Sequence, residues 1–357
     1  MKATGRSLRR YGLAVACAGT LVTVGALAAA EPVAARGAPI NSNKAAVHGY
    51  DFDAPSSAAV VGSDLFVTNA ANGSVTEVRT SNGAFVARIV AKRFGFDAPM
   101  AVAAVGNDLF VANSANNSVT ELRAAGRKHI RTIEGSQYGF ADPMALASFG
   151  TDLFVLNGVG SVTEIDTGTG ALVGRASGSV FGFDKPTGLA VADGRIFVAN
   201  SAGNTVTVLN AQTRAFVASL SGGSYGFSTP TGVAFDGSNV WVTNQADESV
   251  TEFSPTTLDE LNVLMSSNLP MVGPITYGNG YVFAVSPPGG SPMVSQITPS
   301  PASVNWMMCN TNGPYDFNNP QALVVSGSDL WVVNEGGNSL TEMDTVTGDL
   351  IRTIFNP

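Results

Sequence analysis

Two cysteines and two histidines in 357 residues leave little material for the commonest side-chain chemistries. A disulfide-stapled framework needs several cysteine pairs, so that class is excluded. Charge is also scarce. Charged residues make up 13% of the chain, against 45% hydrophobic residues and 40 glycines, which is not the composition of a disordered polymer. Positive charge is outnumbered, 19 basic to 27 acidic residues for a net −8, so a whole-molecule basic footprint for nucleic acid is missing. Beyond residue 30 no stretch sustains apolar spacing at three and four residues, and no helix or membrane span is expected there.

Lys2, Arg6, Arg9 and Arg10 precede an uncharged run from Tyr11 to Ala30, and Ala28 and Ala30 form a small-x-small cleavage pattern ahead of Glu31. Residues 1–30 are therefore expected to be an export signal, which places the protein outside the cytoplasm, secreted or at the cell surface. The uncharged run is long enough for an uncleaved anchor, which is the alternative. Removing it leaves 15 basic and 27 acidic residues, a charge of −12, and Cys309 as the one cysteine, with no internal disulfide. Residues 31–49 form a small-residue lead-in.

The remainder is periodic. Asp108-Leu-Phe-Val-Ala-Asn113 recurs at Asp64–Asn69, Asp152–Asn157, Arg195–Asn200, Asn239–Asn244 and Asp329–Asn334, with a degenerate copy at Gly280–Val285. The spacing is close to 44 residues. Each copy holds a Tyr/Phe-Gly-Phe-Asp-x-Pro loop, an apolar run, the Leu-Phe-Val strand, a Ser-Val-Thr-Glu strand and a last strand after a glycine turn. Four short strands per repeat of this length are a propeller blade. The expectation is all-β: a single seven-bladed β-propeller over residues 50–357, with four antiparallel strands per blade. The repeats fall near 50–93, 94–137, 138–180, 181–224, 225–269, 270–314 and 315–357. Blade seven already holds its own fourth strand, so closure without an exchanged strand is expected.

Leu-Phe-Val-Thr-Asn, followed by Ser-Val-Thr-Glu-Val and Gly-x-Phe-Val-Ala-Arg-Ile, resembles the YVTN repeat of bacterial and archaeal surface proteins. Pro230–Phe235 is similar to the related NHL repeat. The resemblance spans essentially the whole chain after the signal. It implies a propeller and leaves activity open, because relatives include surface proteins, binding modules and a few enzymes.

A residue present in every blade serves every blade, whereas a single site should break the symmetry. Asn69, Asn113, Asn157, Asn200, Asn244 and Asn334 end the second strand, where asparagine closes turns; the sharper alternative is an amide ring at the channel mouth. Glu77, Glu121, Glu164, Glu252 and Glu342 recur in the third strand, and Arg79 and Arg123 are their expected ion-pair partners. The loop aromatics Tyr50, Phe94, Tyr138, Phe181, Tyr225 and Tyr315 are expected between blades. Asp53, Asp97 and Asp184 close turns, and no calcium-loop spacing or other metal site is expected. The residues following the loop prolines, Ser56, Met100, Met144, Thr187, Thr231, Ile275 and Gln321, are expected nearest the axis. They are mixed and uncharged, unlike a catalytic channel. Lys92, Arg93, Arg127, Lys128, His129 and Arg131 form a local basic cluster, which reads as a solvated outer strand with attraction to an anionic envelope polymer as the alternative. Blade six is the divergent copy, with Trp306–Cys309 read as a degenerate repeat or a partner patch.

By resemblance, two scattered histidines fit a streptogramin-lyase site badly, and the tryptophan motif of quinoprotein dehydrogenases is missing. A gluconolactonase-like Glu, Asn and Asp metal set stays open. The expectation is an exported, non-enzymatic, monomeric propeller, without cofactor or nucleic acid, binding a protein or cell-envelope polymer through one face. The alternative is a metal-assisted lactonase- or lyase-type enzyme with its site at the channel mouth.

Overall fold

Short runs of β-branched and aromatic residues, separated by turns of Gly, Asn and Asp, fold as seven sheets in a computed structural model describing residues 49–90, 92–265, 273–286, 292–309 and 315–356. Each sheet consists of four consecutive antiparallel strands. Blade one, for example, is Pro55–Val61, Asp64–Asn69, Ser74–Arg79 and Phe85–Ile89. The expected export signal and most of the lead-in lie outside the described residues. The helix-free expectation needs one correction: among the described residues three single 3-10 turns occur, at Lys92–Phe94, Ala125–Arg127 and Ser179–Phe181. They are loop and hairpin turns, too short to show an apolar period.

The first strands of successive blades contact one another around the ring, from Pro55–Val61 to Pro320–Ser326 and back. The second and third strands are buried almost throughout, while the fourth is half exposed. The period of two in a strand explains why. Leu65 and Val67 point into the seam with blade seven, where they meet Trp331, Val333 and Leu340. Phe66, between them, points into the seam with blade two, where it meets Leu109 and Val111. The same division recurs around the ring, so the seven apolar clusters lie one at each seam. Among the described residues, no blade has a core of its own.

Among the described residues, ring closure uses no exchanged strand. Asn356, just beyond the last strand, instead mimics one residue of a β-ladder. Its Oδ1 accepts the Phe52 N–H at 2.7 Å and its Nδ2 donates to the Phe52 carbonyl at 2.5 Å. Asn338 Oδ1 accepts the Ala54 N–H at 2.9 Å beside it.

Candidate functional site at the channel mouth

One end of the ring carries the loops between blades and the turns between second and third strands. Six of these interblade loops are tied down by the same relay. In blade two the Asn113 side-chain oxygen accepts the Asp97 N–H at 3.4 Å, and its Nδ2 donates to Thr120 Oγ1 at 3.0 Å. Thr120 Oγ1 in turn donates to the Phe94 carbonyl at 2.7 Å. Asn69, Asn157, Asn200, Asn244 and Asn334 repeat the relay. All six asparagines are fully buried. They form no amide ring at the mouth, because each amide spends its donor and acceptor inside its own blade.

The loop aromatics lie within the same loops. Tyr50, Phe94, Tyr138, Phe181, Tyr225 and Tyr315 each stack on the phenylalanine two residues on, with centroids 5.1–5.5 Å apart. The Tyr50 and Tyr138 hydroxyls donate to the Gly83 and Gly170 carbonyls at 2.6 and 2.7 Å.

The glutamates of the third strand are buried, and their partners differ from expectation. Arg79 pairs with Asp64 at 3.2 Å and Arg123 with Asp108 at 2.5 Å, because these residues face each other directly across the ladder. Glu77 pairs with Arg127 and Glu164 with Arg214 (2.5 Å), both from the next blade. Glu121 and Glu342 pair with Arg131 and Arg352 of the fourth strand of their own blade, at 2.8 and 2.6 Å. Glu252 has amides in place of a cation, Asn239 and Asn262, at 2.7 and 2.6 Å. Burial raises the pKa of Glu121, Glu164 and Glu252 above the usual carboxylate value. It pushes Glu342 up to about 8, against the pull of Arg352.

The position after each loop proline turns out to be a β-bulge in six blades, where the first strand gains a residue over the second. A bulge re-aims one side chain out of the alternation. Ser56 Oγ reaches the Pro99 carbonyl of the next blade at 2.7 Å, and Thr187 Oγ1 the Pro230 carbonyl at 3.0 Å. Thr231 bonds Thr243, whose hydroxyl donates to the Gly273 carbonyl at 2.6 Å. Met144 and Ile275 pack against the apolar seams. Met100, 38% exposed, and Gln321 remain open to solvent.

Sequence reasoning named Gln321 and missed the two residues it touches. Glu335 Oε2 accepts Asn319 Nδ2 and Gln321 Nε2, each at 2.7 Å, and Gln321 Nε2 also donates to Asn319 Oδ1 at 2.9 Å. A signal was present. The residue after the recurring asparagine is Ala70, Ser114, Gly158, Ser201 or Gln245 in the other regular blades, and a carboxylate in blade seven alone.

The recurring Glu and Asn set does not fit a gluconolactonase-like metal, since those asparagines are sealed in the blades and four of the five glutamates are paired with arginine. Among the described residues no three His, Cys, Asp or Glu side chains are grouped to share a metal ion. The Trp306 region of blade six is engaged with blade seven: Trp306 Nε1–H donates to the Val346 carbonyl at 3.1 Å, and Met308 lies over Gly348. The Cys309 side chain and Pro287–Gly290 lie outside the described residues.

This architecture defines the chain as a seven-bladed β-propeller. No protein-family model and no curated protein matches the sequence. Solved structures share the fold. A streptogramin B lyase superposes with a TM-score of 0.65 at 11% identity, over 80% of this chain and 92% of its own. U3-55K gives 0.63 at 14% identity, over 80% and 89%. The computationally designed Ika8 protein gives 0.58 at 13% identity, over 81% and 96%. At such identities the likeness is one of fold alone.

Proposed function

We propose that this chain is an exported propeller of the YVTN/NHL type. In this reading it binds a protein or cell-envelope component through the face that carries the interblade loops, and it performs no catalysis. The observation behind the proposal is the use made of the repeated polar side chains. The Asn and Thr that recur are consumed in holding the loops, and most of the recurring Glu in ion pairs within the wall. What the mouth offers instead is one asymmetric set of exposed and half-buried polar side chains. The test is cross-linking on intact producing cells, followed by titration of the purified partner with the wild-type protein and with Met100→Glu. A partner whose binding Met100→Glu weakens supports the proposal. Protein that is retained inside the cell, or cross-links to nothing, refutes it.

The second reading, a lactonase- or lyase-type enzyme, draws on the streptogramin B lyase among the fold neighbours and on the carboxylate of Glu335 at the mouth. It requires a melting temperature raised by calcium, magnesium or manganese. It also requires turnover of a lactone that Glu335→Gln abolishes.

A further inference from the structure

Three positions in each of the six regular blades meet at the channel rim: the residue before the loop proline, the bulge residue after it, and the residue after the recurring asparagine. The first and third are joined by a backbone bond, as in Ala70 N–H to Ala54 O at 2.9 Å and Glu335 N–H to Asn319 O at 3.1 Å. Blade one fills them with Ala54, Ser56 and Ala70, and blade two with Ala98, Met100 and Ser114. Blade seven alone fills all three with long polar side chains, Asn319, Gln321 and Glu335, and these three are bonded to one another.

We infer that this rim of blade seven is a binding site for a ligand carrying a primary ammonium group, with Glu335 as its anchor. The inference rests on the proposed role of the mouth as a binding face. The two amides grip Oε2, while Glu335 Oε1 and Gln321 Oε1 take no bond from the other described residues. What the set offers a ligand is therefore mainly acceptors, one of them charged. A hydroxyl would satisfy such acceptors, but an ammonium gains the charge-assisted bond, about twice as strong as a neutral one.

The field of the ring favours the same choice. Residues 50–224, blades one to four, hold 14 acidic and 12 basic side chains. Residues 225–357, blades five to seven, hold 12 acidic side chains and one basic, Arg352, which is occupied by Glu342. One arc of the ring is close to neutral and the other is strongly negative, and Glu335 lies on the negative arc. Clefts lined by one sign of charge concentrate counter-ions.

Isothermal titration with two amine probes, the glucosamine tetramer and trilysine, tests this directly, with their N-acetylated forms as controls. The wild-type protein should bind an amine form at least about tenfold more tightly than its acetylated form, and added salt should weaken it. Which probe wins distinguishes an amino sugar from a peptide as the source of the ammonium. Glu335→Gln should lose about tenfold in affinity with little change in melting temperature, since the half-buried glutamine keeps a carbonyl oxygen for the Asn319 and Gln321 amides. Gln321→Leu should lose less. Equal binding of amine and acetylated probes, equal binding by Glu335→Gln, or no binding of either amine would overturn the assignment. A cross-linked partner whose binding is insensitive to Glu335→Gln would do so too while leaving the proposed binding face intact.

Discussion

Asn113 illustrates how far a single side chain can be committed to the fold. Its amide supplies donors to the Val111 carbonyl, Ser118 and Thr120 and accepts the Asp97 N–H, all without contact with water. Asn113→Ala should therefore cost about 2–3 kcal/mol in urea unfolding, the penalty of orphaned buried partners. The residue before the loop proline is equally constrained. It is left-handed in six blades, at φ 45–57° for Ala54, Ala98, Asp142, Lys185, Thr229 and Asn319. Threonine, β-branched, suits that region badly and asparagine suits it well. Thr229→Asn should stabilise by roughly 0.5–1 kcal/mol. Glu342 carries a pH dependence. Its folded pKa, about 8, lies above the unfolded value, so its neutral form favours folding and its ionisation opposes it. Stability is then greatest below the unfolded value and falls as pH rises from about 4.5 to about 8, by at most about 1.4 kcal/mol per unit. Thermal melts of Glu342→Gln should match wild type near pH ~5 and exceed it near pH ~8.5.

At the scale of elements, the interblade loop is the unit that sequence reading underdetermined. Its aromatics, Asn–Thr relay and terminal bulge were each visible as recurring letters, but their assembly was not. The partners Phe94, Asn113 and Thr120 are separated by up to 26 residues. The same holds for the glutamates. Spacing suggests Arg79 for Glu77, whereas the neighbouring blade supplies Arg127. Arg214→Ala should consequently cost about 3 kcal/mol, because it strands the buried Glu164 without its cation. The closing clasp is also an element of this kind. Asn356→Ala removes both bonds to Phe52, which is 1% exposed. Hydrogen exchange should accelerate in Pro55–Val61 and Leu350–Phe355 and stay unchanged in blades three and four. Uniform acceleration around the ring would show that Asn356 acts on global stability and is not a latch.

The whole molecule is a ring of shared seams with an uneven charge. Each sheet gives alternate side chains to the cores on its two sides, so no blade is a folding unit by itself. The acids of blades five to seven repel one another with one cation among them. Raising salt from about 20 to about 300 mM should screen that repulsion and raise the melting temperature. Glu260→Lys in blade five should stabilise by a few tenths of a kcal/mol, and Glu134→Lys, beside the cations of blade two, should not. Equal effects of the two substitutions would mean that local contacts outweigh the arc.

Period and composition alone determined the number of blades, the four strands in each and the self-contained seventh sheet, because these follow from local alternation and turn chemistry repeated at a fixed interval. They also marked which letters recur. Only the tertiary structure decided what the letters do. Two identical asparagines or glutamates cannot be called site or seam until burial and partners are known, and both depend on the neighbouring blade. The set Asn319, Gln321 and Glu335 became visible for the same reason. Its members are 2, 14 and 16 residues apart, and the bulge and the strand pairing bring them onto one rim.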